Sequence, residues 1–324
     1  MSDHAKGRVA VIMTCYNEAP YIGAAVRSVL GQSRADVVDR IIIADDGSAN
    51  DTIATLKAIE TWDDRITVIY GPGGAGIPVQ RNLAIARTNS EFFAILDGDD
   101  LWAEDKLEKQ LPQIQADQNV GLVYSDYFTF SNDDLSGARR AGVGDLSTSA
   151  NLTRTYFLND PPIIPSTILV RRAVYEACGR FDESIRVFED TDFYIRVSRI
   201  STFKLVNLPL LYKRFHASSI TGGGKDLIGH HALVAFKAAA AEPSLMPLVT
   251  RRLSERARKL GNHVFLLGDN MQAIRLLRLS VQLDPLNFRG WVFLIAAMVL
   301  KRLPKRFFAS RLEARRTALG ATNQ

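Results

Sequence analysis

Short apolar runs alternate with helix-like segments along residues 8–127 of the chain. Runs that are apolar on both faces are typical of parallel strands covered by helices on both sides. Such runs predict strands at Val9–Met13, Arg40–Ala44, Ile66–Tyr70, Phe92–Leu96 and Gly121–Tyr124. The alternation predicts an α/β fold, in which ligands bind at the carboxyl ends of the strands.

Apolar residues at helical spacing fill the segments between these strands. Pro20 suits a first helical turn, Gly31 suits a helix end, and Asn50 or Asp51 can cap the next helix. The predicted helices are the segment that ends at Gly31, Thr52–Glu60, Val79–Arg87 and Ala103–Gln115.

The pattern weakens beyond residue 130 and becomes helical towards residue 324. Residues 131–165 hold clusters of Ser, Asn, Asp and Gly, which predict loops. Further strands are predicted at Ser166–Val170, Lys204–Leu208 and Leu210–Phe215, with helices at Arg171–Ala177 and from Glu189 to Ile200. Four helices follow, at Leu227–Ala241, Leu248–Leu267, Asn270–Leu283 and Phe288–Leu300. We therefore predict an α/β domain over residues 1–225 and an all-α appendage over residues 226–324.

The overall composition is that of a globular protein. Its 324 residues are 47% hydrophobic and 23% charged, which excludes collagen-like, coiled-coil and largely disordered chains. Two cysteines cannot form a disulfide framework or a four-ligand zinc site, so a reducing compartment is expected. The N-terminus lacks the apolar stretch of a signal peptide, and the longest apolar run, Trp291–Leu300, is too short to span a membrane. These features predict a cytoplasmic localisation.

The net charge of +5 divides unevenly along the chain. Residues 250–324 carry a net charge of +11, whereas residues 1–249 carry −6. The apolar run Trp291–Leu300 is followed by the basic cluster Lys301–Arg306, which suits a helix lying peripherally on an anionic membrane, and a packing appendage is the alternative. No motif for base stacking or groove reading accompanies the charge, so nucleic acid is not expected as a partner.

Polar and acidic residues follow the predicted strands at one edge of the sheet. The carboxylates of Asp97–Asp100 repel one another unless a cation binds, and Mg²⁺ or Mn²⁺ takes such oxygen ligands. Helix capping by Asp100 is the alternative. Asp45–Ser48 is either an ordinary turn or a group that accepts hydrogen bonds from a base or ribose. The glycine loop 71–76 lacks the known phosphate-binding spacings, so a flexible connection is favoured there.

Five motifs in order resemble the family 2 glycosyltransferases, which have the GT-A fold. They are VAVIMTCYNE at 9–18, IADDGS at 43–48, QRNLA at 80–84, LDGDD at 96–100, and GRFDE at 179–183 followed by EDTDF at 189–193. The resemblance covers residues 8–216 and departs at Thr14, where many relatives carry proline. It implies a Rossmann-like mixed sheet, mainly parallel, flanked by helices.

The resemblance implies a nucleotide-sugar donor and assigns residues to its nucleoside. Thr14, Tyr16 and Glu18 would line the base and ribose pocket, and Asp45 would accept a hydrogen bond from the base. A carboxylate that accepts a hydrogen bond from the imide N–H of a pyrimidine favours a UDP- or dTDP-sugar as the donor. Guanine also presents an N–H, so this hydrogen bond narrows the donor without fixing it.

The same resemblance assigns the diphosphate and the metal. Arg81 would face the diphosphate or Asp45, Asp97 would approach the ribose or the metal, and Asp99 would bind Mg²⁺ or Mn²⁺ directly. His216 would contact the metal or the diphosphate from a glycine-rich stretch that closes over the donor. The metal would neutralise the nucleotide diphosphate as it leaves.

A general base is expected at the start of the helix that follows Glu189. The matching family position is Asp190, which would take the proton of the acceptor hydroxyl. Asp192 is the alternative base, Glu189 would orient the acceptor or the base, and helix-dipole stabilisation of all three acids is the structural alternative.

The predicted function is therefore metal-dependent, inverting transfer of a sugar to a hydroxyl acceptor. The expected acceptor is a saccharide or a lipid-linked saccharide, in the synthesis of a cell-surface polysaccharide or glycolipid. The alternatives are a sugar-1-phosphate nucleotidyltransferase, which would want a glycine-rich loop with Arg and Lys after the first strand, and a non-catalytic nucleotide-binding or scaffold protein.

Overall fold

A computed structural model describes residues 7–131, 134–216 and 227–300 of the chain. The chain divides into two compact units. The first holds residues 1–129, 138–156 and 160–214, and the second holds residues 130–137, 157–159 and 215–324. The domain boundary predicted at residue 225 stays a prediction.

One mixed sheet organises the first unit. Its strands are β1 (Val9–Cys15), β2 (Val38–Asp45), β3 (Ile66–Tyr70), β4 (Phe92–Asp97), β5 (Leu101–Trp102), β6 (Val120–Ser131), β7 (Asp134–Arg140), β8 (Leu169–Arg171) and β9 (Thr202–Phe215). Their order is β3-β2-β1-β4-β8-β6-β9-β5, and β7 pairs with β6. Strands β1 to β4 are parallel to one another, whereas β8 is antiparallel to both β4 and β6.

Helices flank this sheet. They are α1 (Ile22–Leu30), α2 (Asn50–Ile59), α3 (Ile77–Ala86), α4 (Lys106–Gln115), α5 (Leu152–Asn159), α6 (Arg172–Cys178) and α7 (Glu189–Ser198). All seven residues of β1 and the first five of β4 are buried, as expected of strands covered on both faces. The predicted α/β fold with a mixed sheet flanked by helices is confirmed.

Several predicted boundaries were wrong, each for a local reason. The two strands predicted at 204–208 and 210–215 form the single strand β9, which continues through Pro209. Helix α4 begins at Lys106 rather than Ala103, because Leu101 and Trp102 pair with β9 as β5. Helix α2 begins at Asn50, so neither Asn50 nor Asp51 is its N-cap residue.

The segment predicted to be loop at 131–165 contains regular structure. Strand β7 pairs with β6, and α5 begins after Asn151, whose side chain accepts a hydrogen bond from the Arg154 N–H at 2.8 Å. This cap is local, but it lies in a polar stretch whose hydrophobic pattern is too short to reveal a helix of eight residues.

Four helices make up most of the second unit. They are α8 (Ile228–Ala241), α9 (Val249–Leu266), α10 (Asn270–Leu283) and α11 (Phe288–Leu300), each within one residue of its predicted ends. Leu277 and Val281 of α10 pack with Leu294 and Ala297 of α11 in one apolar cluster. Over the residues that the structure describes, we find no helix with the length and apolar character needed to cross a membrane.

Lys106 is a buried cation at the start of α4. Its side chain is inaccessible to solvent, its ammonium lies 4.5 Å from the Trp102 ring centroid, and it donates a hydrogen bond to Gln110 Oε1. Burial lowers the pKa of Lys106 to about 7. Between about pH 7 and the ordinary pKa of lysine, Lys106 is therefore mostly uncharged in the folded state but protonated in the unfolded state.

This difference predicts a pH-dependent stability. The Lys106 contribution to the free energy of unfolding should rise as pH increases from 7 towards 10, because the unfolded state alone keeps its proton there. We expect Lys106→Met to lack this rise. Urea unfolding of both proteins at pH 7 and pH 9.5 measures the difference, and equal pH dependence in the two would contradict the prediction.

Candidate active site

The carboxyl ends of β1, β2 and β4 meet at one edge of the sheet. Thr14 of β1 lies opposite Asp97 of β4, and Cys15 of β1 lies opposite Asp45 of β2. Parallel strands that end in register place the residues that follow them side by side. The segments predicted to converge, Thr14–Glu18, Asp45–Ser48 and Asp97–Asp100, therefore do so.

Asp45 lies inside the turn that follows β2. Its side chain is fully buried, and Oδ2 accepts hydrogen bonds from the Gly47 and Ser48 N–H groups, each at 3.0 Å. The Ser48 hydroxyl donates to Oδ1. The turn interpretation therefore accounts for these contacts of the carboxylate, and its assignment as the acceptor from a base stays a prediction.

The neighbouring Asp46 holds the glycine loop against this turn. Its carboxylate accepts hydrogen bonds from the Ala75 and Gly76 N–H groups at 3.0 and 2.9 Å, and from Gln80 Nε2 at 2.9 Å. A Cβ at Gly47 would lie 2.5 Å from the Gly73 Cα, so the two backbones pack closely. The loop at 71–76 is thus fixed by hydrogen bonds rather than a free connection.

Residues distant in the sequence support the acidic turn Asp97–Asp100. The Ser166 hydroxyl accepts a hydrogen bond from the Asp97 N–H at 3.1 Å. Arg214 near the end of β9 donates from its backbone N–H to Asp100 Oδ1 and from Nε to the Asp99 carbonyl. Burial, followed by the charge of Asp99, raises the pKa of Asp100 to about 8. Asp100 is therefore a buried residue that connects the turn to β9, while Asp99 is partly accessible to solvent.

Glu18 packs beside the acidic turn. A Cβ on Gly98 would come within 2.0 Å of Glu18 Oε2, so only glycine lets the carboxylate pack there. Burial and then the charges of Asp99 and Asp97 raise the pKa of Glu18 to about 9. Tyr16, which directly follows β1, is 60% exposed.

Arg81 does not contact Asp45 but joins two other acids. The Arg81 side chain is 2% exposed, and its guanidinium contacts Asp97 Oδ1 at 2.9 Å and Glu189 Oε1 at 2.6 Å. The structure therefore corrects one of the two expected partners of Arg81. We call these two contacts the Arg81 fork. The fork connects the acidic turn to the first turn of α7, although Arg81 and Glu189 are 108 residues apart in the sequence.

The first turn of α7 carries the three acids considered for the base. Asp192 is buried and paired with Arg196 at 2.8 Å, and Glu189 is held by Arg81. Asp190 is half-buried, accepts the Thr191 N–H at 2.7 Å, and has a pKa raised by burial despite the opposing charge of Arg81. The residue before the helix, Phe188, has a left-handed backbone (φ 66°), which is costly for an aromatic residue.

Asp99 and His216 are the predicted metal ligands. In the three described ranges, no group of three or more His, Cys, Asp or Glu side chains is arranged to hold a metal ion. His216 directly follows β9, and residues 217–226, which include the glycine-rich stretch predicted to close over the donor, lie outside the described residues. The roles of Asp99 and His216 as metal ligands stay predictions.

Several residues that support the site were not predicted from the sequence. Ser166 was placed within a predicted strand but lies in the 3₁₀ turn Pro165–Thr167, where it supports Asp97. Arg214 lies among the alternating residues of β9, and no local signal marks its contacts with the acidic turn. Asp46 could have been noticed as the second acid of the Asp45–Ser48 motif.

Comparison with known proteins finds a matching family and similar relatives. The sequence profile described as "Glycosyl transferase family 2" matches residues 10–179. A putative teichuronic acid biosynthesis glycosyltransferase, TuaG of Bacillus subtilis, is 38% identical over 128 residues, covering 40% of this chain. WfgD of Escherichia coli, a glucosyltransferase acting on a diphosphoundecaprenol-linked sugar, is 33% identical over 132 residues, also 40% of the chain. The matches span about half of each relative's length, 50% and 49%.

Solved structures share the fold. TarS 1-349 of S. aureus in complex with UDP-GlcNAc superposes with a TM-score of 0.63 and 16% identity, over 96% of this chain and 89% of that one. The mannosyltransferase PcManGT of Pyrobaculum calidifontis, in complex with GDP-Man and Mn²⁺, gives a TM-score of 0.60 and 18% identity, over 96% and 85%.

Proposed function

The chain belongs to glycosyl transferase family 2, and we propose that it moves a sugar from a nucleotide-diphosphate sugar to a hydroxyl acceptor with inversion at the anomeric carbon. The observation that carries this proposal is the Arg81 fork, which brings the first turn of α7 beside the acidic turn after β4. A base and a leaving-group site must face one another across the reacting carbon, and this fork fixes one relative to the other.

The proposed donor site lies at the edge where β1, β2 and β4 end. Tyr16 is exposed and would offer its ring to a base, and Thr14 and Glu18 lie two residues before and after it in the sequence. A UDP- or dTDP-sugar is the favoured donor. TarS and PcManGT are described in complex with UDP-GlcNAc and with GDP-Man, respectively, and the similarity to them concerns the fold alone.

The acidic turn fits a divalent cation by its chemistry. The donor atoms available are carboxylate oxygens, and burial, followed by the charges of the neighbouring aspartates, raises the pKa values of Glu18 and Asp100. Mg²⁺ commonly binds one or two carboxylates together with substrate phosphates. Asp99 would hold the ion, which would supply charge neutralisation of the diphosphate leaving group.

Asp190 would perform the proton transfer. It accepts the proton of the acceptor hydroxyl while the acceptor oxygen forms a bond to the anomeric carbon and the bond to the diphosphate oxygen breaks. The raised pKa of Asp190 favours this role, because a base whose pKa lies nearer to the working pH takes up the proton more readily. One displacement inverts the configuration.

The proposed acceptor is a saccharide or a lipid-linked saccharide of a cell-surface polysaccharide or glycolipid pathway. WfgD is named for a lipid-linked acceptor and TuaG for teichuronic acid biosynthesis, and these relatives support the proposal. Binding and hydrolysis of a panel of UDP-, dTDP- and GDP-sugars, with and without Mn²⁺, test it. Absence of hydrolysis and of transfer with every donor would favour a non-catalytic nucleotide-binding protein.

Asp99→Ala is expected to weaken the metal-dependent part of donor binding by about tenfold or more, because a carboxylate ligand to the ion is lost. Calorimetric titration of the best donor with and without Mn²⁺ measures this effect. The matched control is Asp64→Ala, an exposed carboxylate before β3, at the opposite end of the strands. Metal-strengthened binding that survives in Asp99→Ala would refute the assignment.

A further inference from the structure

Helix α11 exposes an apolar face to solvent. Its inner face, Gly290, Leu294 and Ala297, is buried. The outer face consists of Phe288, Trp291, Val292, Ile295, Met298 and Val299, all exposed. Ile295 and Val299 are each 58% exposed, and Phe288 is 76% exposed. Because these residues recur every three or four positions, they form one stripe about 16 Å long.

Such a face is unusual for a helix on the surface of a water-soluble unit. Surface helices normally present charged residues to solvent, but Arg289 is the only charged residue in α11. The apolar outer face therefore indicates an interaction surface rather than a solvated one. Trp291 adds a ring whose Nε1 donates to the Pro285 carbonyl at 3.0 Å, so its polar edge is already satisfied.

The positive charge of α11 and of the residues that follow it indicates which kind of partner the apolar face contacts. Residues 288–324 contain eight Lys and Arg but one acid, Glu313, and four of the basic residues lie in Lys301–Arg306, directly after α11. Residues 301–324 lie outside the described residues. Two copies of so basic a region repel each other, whereas an anionic surface attracts it.

We propose that the outer face of α11 is a membrane-contact surface, which lies in the headgroup region of a bilayer that contains anionic lipid. The apolar stripe and the tryptophan enter the boundary between headgroups and acyl chains, while the neighbouring cations bind lipid phosphates. This inference goes beyond the proposed function, since it states where the protein acts and does not depend on sugar transfer. Cytoplasmic localisation stays a prediction.

Sedimentation of the full chain with vesicles tests the surface. We expect binding to phosphatidylcholine vesicles that contain phosphatidylglycerol, weak binding to phosphatidylcholine alone, and loss of binding at high salt. The double variant Ile295→Gln/Val299→Gln, which leaves the charge unchanged, should lower the partition coefficient by about tenfold, because apolar area drives insertion. Replacement of the four basic residues in Lys301–Arg306 by Gln should abolish the preference for phosphatidylglycerol.

The matched control is Leu233→Gln/Phe236→Gln, which changes two similarly exposed apolar residues on α8 of the same unit. It should bind vesicles like the wild type.

The proposal is overturned if the wild type does not bind phosphatidylglycerol vesicles at low salt, or if the α11 and α8 variants bind equally. It is also overturned if the α11 variant loses only self-association, or if deletion of residues 301–324 increases binding to both vesicle types equally. Donor hydrolysis in solution should be unchanged in both variants, so failure here leaves the proposed function standing.

Discussion

Asp190→Asn is expected to lower the rate of sugar transfer by about 10²- to 10⁴-fold, the usual contribution of a general base. Asparagine keeps the shape of the side chain but cannot accept the acceptor proton. Donor binding should be retained, because the substitution changes none of the residues assigned to the nucleoside, the diphosphate or the metal. The variant should also fold, since burial already favours the uncharged form of this carboxyl group.

The pH dependence of transfer provides a second readout of the same residue. A base must be deprotonated, so the wild-type rate should fall as pH decreases through the Asp190 pKa, which burial places above its ordinary value. The residual activity of Asp190→Asn should lack this decrease. Single-turnover rates across pH, with donor affinity measured separately, test both statements.

Asp192→Asn is the matched control for this prediction. Asp192 lies on the same helix but is buried in an ion pair with Arg196 at 2.8 Å, so its loss should affect stability more than the rate of transfer. If Asp192→Asn abolished transfer while Asp190→Asn remained active, the base would be reassigned to Asp192.

Arg81→Met is expected to lower the free energy of unfolding by about 3–5 kcal/mol, the usual cost of removing one partner of a buried ion pair. The substitution leaves Glu189 buried without its cation and removes the charge that Asp97 contacts. Urea unfolding at neutral pH measures the loss. The double variant Arg81→Met/Glu189→Gln should recover part of it, because the buried charge is removed as well.

Arg34→Met controls for the loss of an arginine ion pair as such. Arg34 contacts Asp36 at 2.8 Å, but its side chain is 45% exposed, so solvent screens this pair and its loss should change stability little. A loss at Arg81 no larger than the loss at Arg34 would contradict the structural role of the fork.

The sequence predicted strands β1 to β4, the helices of the second unit and the convergence of the strand ends. These features follow from local periodicity and from a general property of parallel sheets, so they need no knowledge of distant contacts. The start of α5 after Asn151 and the continuation of β9 through Pro209 were missed, because the apolar pattern there is short or broken.

Within the site, the residue types came from the sequence, and their environments came from the fold. The sequence by itself determined that Asp45, Asp97 and Asp99 lie near one sheet edge, because each follows a strand of the parallel core. Only the tertiary structure decided that Asp45 is enclosed in its turn and that Arg81 joins Asp97 to Glu189. The physical reason is that burial, pKa and ion pairing depend on groups brought together from distant parts of the chain, which no local pattern encodes.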